Sequence, residues 1–128
     1  MYLVDTNILI WIIRGEKNYV RWFEELKQGS SLSISTITVA EIYKNVFPSE
    51  LVNTEAIVGD FQIWDVTANI AKQGGLYWQQ YFRNLKSIHI LDCIIAATAK
   101  EHDLILVTLN TRHFPMKDIK VINPLKEN

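Results

Sequence analysis

The chain is short of most features that would take it out of the class of ordinary folded domains. It has one cysteine, Cys93, so no disulfide can form within it. It has only 5 Gly and 3 Pro, too few for a fibrous repeat or a disordered linker. Its longest apolar run, Ile8 to Ile13, falls far below the roughly 18 residues of a membrane span. The N-terminus meets an acid at Asp5 before any long apolar stretch, unlike the basic start of a secretory signal. No excess charge of either sign exists: 13 Lys+Arg stand against 14 Asp+Glu, a formal net charge of −1. A global field that would draw in nucleic acid or an anionic membrane is thereby excluded, so any nucleic-acid binding must be local. The expectation is a cytoplasmic protein with no membrane partner.

What is present is a hydrophobic fraction of 48% over 128 residues, enough for one domain, taken as 1–128, with a single core. Tyr2-Leu3-Val4 reads as a buried strand running into Asp5-Thr6-Asn7, a set of helix-starting residues, with helix through Ile13. Asn18 to Lys27 has an amphipathic face, with Gly29 as its stop, and Leu32 to Ser35 alternates like a strand. Thr38 and Glu41 match a capping box, which predicts a helix up to Pro48. Leu51 to Val58 reads as helix and Ile63 to Val66 as strand, and Ala68 to Phe82 as a helix that Gly74-Gly75 would kink or break. Asp92 opens an Ala-rich helix over Cys93 to Glu101, followed by strands at Leu104 to Thr108 and Ile119 to Ile122. Strands alternating with helices predict an α/β fold, a central parallel sheet flanked by helices.

In such sheets ligands bind beyond the carboxyl ends of the strands. Asp5, Glu41, Asp92, Thr108 and Asn110 all fall at or just after predicted strand ends or helix starts. Three carboxylates converging there would repel one another or need a cation, and oxygen-only donors favour Mg²⁺ or Mn²⁺ over Zn²⁺. Such an ion suits phosphodiester hydrolysis. Each acid also sits where helix starts favour acids, so plain capping accounts for them singly. The residue pattern alone accommodates both readings.

Four segments resemble the motifs of PIN-domain proteins, particularly the VapC-type toxins of toxin–antitoxin pairs. They are Leu3-Val4-Asp5-Thr6-Asn7-Ile8-Leu9, Thr38-Val39-Ala40-Glu41-Ile42, Leu91 to Ala99 around Asp92, and Leu106 to Phe114 through Thr108 and Asn110. The resemblance implies a Mg²⁺- or Mn²⁺-dependent endoribonuclease acting on RNA, a homodimer, and a small antitoxin partner. Residue by residue it implies that Asp5, Glu41 and Asp92 bind metal, supported by the hydroxyl of Thr6 or Thr108. The fourth acidic position of many PIN domains is Asn110 here, a neutral carbonyl that weakens the case for a second ion.

Other features carry less. His113 lies near the proposed mouth, with packing or a turn hydrogen bond as its expected role, and Cys93 reads as core filler. The apolar helix around Ile10, Trp11 and Ile13 needs cover beyond its own sheet, which points to a partner surface. Two other readings stay open: a receiver-like module phosphorylated at Asp65, and a PIN fold that binds a partner without catalysis, which Asn110 keeps alive.

Overall fold

A computed structural model describes residues 1–125. Five strands, β1 (Tyr2–Val4), β2 (Leu32–Ser35), β3 (Gln62–Trp64), β4 (Ile105–Val107) and β5 (Lys120–Ile122), form one parallel sheet in the order β3-β2-β1-β4-β5. Six helices flank it: α1 (Thr6–Ile13), α2 (Lys17–Gly29), α3 (Thr36–Tyr43), α4 (Leu51–Val58), α5 (Ala68–Tyr81) and α6 (Ile90–Glu101). The predicted α/β architecture is the one observed.

Strand alternation divides the core in two. Leu3 and Leu106 face α5 and α6, joining Ile70, Tyr77, Ile95 and Phe114. Their neighbours Val4 and Val107 face the other way, with Ile8, Leu9, Phe23, Ile34 and Ile42. Because β1 is central and the chain builds outward from it in both directions, its carboxyl end lies at the sheet's topological switch, where a crevice opens.

Two strands pass into helices without a loop. Asp5 and Ser35 keep extended backbones, and their side chains accept the amides of Thr6 and Ile37 at 2.8 and 3.0 Å. Ser35 therefore replaces the expected capping box. Thr38 and Glu41 both lie inside α3, because the cap is the last strand residue, three positions before Thr38. Asp92 likewise does not open α6: His89 caps it, its Nδ1 accepting the Leu91 amide at 3.1 Å, and Asp92 sits in the first turn.

The glycine pair does not kink α5, which is continuous. A Cβ on Gly74 would stand 2.8 Å from Ile94 Cγ1 and 3.1 Å from Ile94 Cα. Glycine is needed there because α5 and α6 approach too closely for a side chain. The edge strand β3 is also shorter than expected, ending at Trp64, and Asp65 beyond it is exposed.

Candidate active site

Asp5 sits at the switch point, where β1 hands over to α1, and is only 5% exposed. Its Oδ1 accepts the Thr6 amide. Its Oδ2 accepts the Thr108 hydroxyl at 2.7 Å, and Thr108 Oγ1 in turn accepts the Asn110 amide at 3.1 Å. The β4 end thus clamps the β1 end through a fully buried threonine.

Glu41 reaches the same place from α3. Thr6 Oγ1 stands 2.6 Å from Glu41 Oε1 and 3.0 Å from Thr38 Oγ1. A hydroxyl has one proton, and the carboxylate is the stronger acceptor, so Thr6 donates to Glu41 and receives from Thr38. Asp92, from the first turn of α6, lies 3.8 Å from His113 Nδ1.

Asp5, Glu41 and Asp92 line one cavity of about 300 Å³, whose walls also include Thr6, Asn110 and His113. Thr108 lies behind that wall, fully buried. Burial pushes the Asp5 carboxyl up to about 6; the charges of Asp92 and Glu41 add to the rise, while the Thr108 and Thr6 hydrogen bonds oppose it. Asp92 is raised as well, first by burial and then by Glu41, against the pull of His113 and His89.

The three acids offer only oxygens to an ion, and two of them, Asp5 and Asp92, are destabilised as anions by burial and by neighbouring carboxylates. A hard dication relieves that situation, so the residues present suit Mg²⁺ or Mn²⁺. Among the described residues, no three His, Cys, Asp or Glu side chains are drawn together into a ready-made cage. The acids share a cavity without closing around a point.

The fold brings two further residues to this site. A 3-10 turn over Thr111–His113 swings His113 back toward Asp92, which chain order alone does not show. Lys44 lines the cavity, and its signal was available: it follows Glu41 by three residues, on the same helical face. Cys93 is buried, its thiol pushed up to about 11 by burial and by Asp92, which suits core filler rather than a nucleophile.

The PIN domain profile matches residues 2–120, nearly the whole chain. The chain belongs to the PIN-domain family. Ribonuclease VapC10 of Mycobacterium tuberculosis is 34% identical to this PIN domain over 116 residues, covering 91% of it and 87% of the relative. Ribonuclease VapC19 of the same organism is 36% identical over 118 residues, covering 91% and 94%. Among solved structures, a chain of a toxin–antitoxin complex from Klebsiella pneumoniae superposes with a TM-score of 0.79 at 28% identity, covering 99% of this PIN domain and all of that chain. The receiver-like reading falls with this result, and Asp65 keeps no special role.

Proposed function

We propose that this PIN domain is the toxin ribonuclease of a toxin–antitoxin pair, hydrolysing RNA phosphodiester bonds with Mg²⁺ or Mn²⁺. The observation that carries the reading is three acids from β1, α3 and α6 lining one cavity at the switch point, two of them with raised pKa. The naming of the VapC relatives as ribonucleases supports the substrate class.

Asp5, Glu41 and Asp92 would hold the metal. The chemistry a divalent ion supplies when bound is Lewis acidity toward phosphodiester oxygens and a stronger water nucleophile at neutral pH. The chain's own contribution is placement. Thr108 fixes the Asp5 carboxylate and Thr6 fixes that of Glu41, so both acids are held before substrate arrives. Asn110 offers a neutral carbonyl at the wall, leaving the site one negative charge short of a four-acid arrangement.

The apolar surface around Ile10, Trp11 and Ile13 borders a groove with Val46 and Phe47, which suits the apolar segment of a small antitoxin. The reading also includes a homodimer and a cytoplasmic setting, for which a lone buried thiol is apt.

The PIN fold that binds without catalysis is favoured by one observation, the acids standing apart. One assay separates the two. The wild type should cleave single-stranded RNA with Mg²⁺ or Mn²⁺ and not with EDTA. Asp5→Asn, Glu41→Gln and Asp92→Asn should each lower the rate about 10³-fold, for a loss of several kcal/mol of transition-state stabilisation, with unchanged circular dichroism. Cleavage by folded variants at the parental rate would overturn the assignment, and an inert wild type would favour the binding-only fold.

A further inference from the structure

A cavity walled by three acids repels the polyanion it is meant to receive. Apart from any ion the acids hold, the chain's own fixed positive charge on the cavity wall is Lys44. Lys44 caps the carboxyl end of α3, one turn beyond Glu41, and is exposed. Two other lysines are tied down: Lys27 meets Glu24 and Asp60 at 3.3 and 3.4 Å, and Lys100 meets Asp118 at 2.8 Å. Lys44 pairs with no carboxylate among the described residues, although three acids line the same cavity. The nearest acid along its helix, Glu41, has one oxygen engaged by Thr6. Lys44 therefore brings an uncompensated positive charge to the cavity, with Asn45 as a further polar residue in the same wall.

We propose that Lys44 receives a phosphate of single-stranded RNA and holds the backbone against the carboxylates. The assignment rests on the ribonuclease reading and adds a substrate-positioning residue to it. Lysine suits the task as a compact point charge on a flexible stem, able to follow a phosphate without dictating base identity.

The test is fluorescence anisotropy of a labelled single-stranded RNA in EDTA over a salt series, with wild type, Lys44→Gln, Lys44→Arg and Lys72→Gln. Lys72 is exposed on α5 and lines a separate groove with Ala97 and Glu101 of α6. Lys44→Gln should weaken binding about tenfold at low salt and make the slope of log affinity against log salt shallower by about 0.7, the loss of one phosphate contact. Lys44→Arg should restore most of the affinity, and Lys72→Gln should change nothing. Equal losses in Lys44→Gln and Lys72→Gln, or none in Lys44→Gln, would overturn the role of Lys44 while leaving the ribonuclease reading standing. A wild type with no affinity for RNA in EDTA would also overturn the role of Lys44, and the ribonuclease reading would still be decided by the cleavage assay with Mg²⁺ or Mn²⁺.

Discussion

Asp5 and Asp118 are held in nearly the same way and behave oppositely. Each accepts a hydroxyl, Asp5 from Thr108 at 2.7 Å and Asp118 from Tyr77 at 2.8 Å. Asp118 lies before β5, at the opposite end of the sheet, and also meets Lys100 at 2.8 Å. Its partial burial alone would raise its pKa, but the hydrogen bonds from Lys100 and Tyr77 overcome this and hold it below its ordinary value. Asp5 has no cation, sits near two further acids, and rises to about 6. One end of the sheet is electrostatically closed, while the other keeps a charge deficit that only an incoming cation cancels. The difference separates a group that fastens the fold from one that costs it stability.

The largest expected effect comes from supplying the missing charge. If Asp5, Glu41 and Asp92 hold a divalent ion, Mn²⁺ at a hundredfold over its dissociation constant should stabilise the wild type by about 2.7 kcal/mol. Thermal unfolding with and without Mn²⁺ measures it. Asp5→Asn should lose most of that gain, and a wild type indifferent to Mn²⁺ would erase the distinction between the two ends.

Removing the charge should act next. Folded Asp5 holds its proton up to about pH 6, whereas the unfolded chain releases it near 3.8. Without metal, stability should therefore fall as pH rises from about 4 to 6 and level off above. At pH 7 the cost is ~3 kcal/mol from the difference in pKa, and losing part of the Thr108 interaction returns ~1 kcal/mol of it. Asp5→Asn should then stabilise the metal-free protein by about 2 kcal/mol, where capping alone predicts no change. Urea unfolding at pH 4 and pH 7 tests both the sign and the lost slope.

At the closed end the effect should be smaller and of opposite sign. Tyr77→Phe keeps the buried ring and deletes one hydrogen bond, so it should destabilise by about 1 kcal/mol and leave RNA cleavage untouched. A fall in cleavage would mean that the two ends are coupled.

The layered α/β plan was legible because β-branched strands and amphipathic helices carry their own period. The junctions were not. Whether Ser35 or Thr38 caps α3 depends on where β2 stops, which is decided by pairing with β1 and β3 rather than by the local sequence. Gly74 looks like a helix weakness until Ile94 is brought against it from a different helix. In the candidate site, the acids could be suspected from their places at element ends. The Thr6 link to Glu41 and the His113 approach to Asp92 depend on tertiary placement, so spacing along the chain is silent about them.

The hydrogen bond between Thr108 and Asp5 spans 103 residues of chain. During synthesis Asp5 emerges 103 residues ahead of Thr108, and β1 lacks its neighbour β4 until residues 105–107 have emerged. Folding that depends on so distant a pairing waits for the late strands. A nascent or prematurely terminated chain that stops short of Thr108 therefore cannot assemble this acidic pocket, however well its first helices form. Any activity built on the pocket switches on only once translation has passed Thr108.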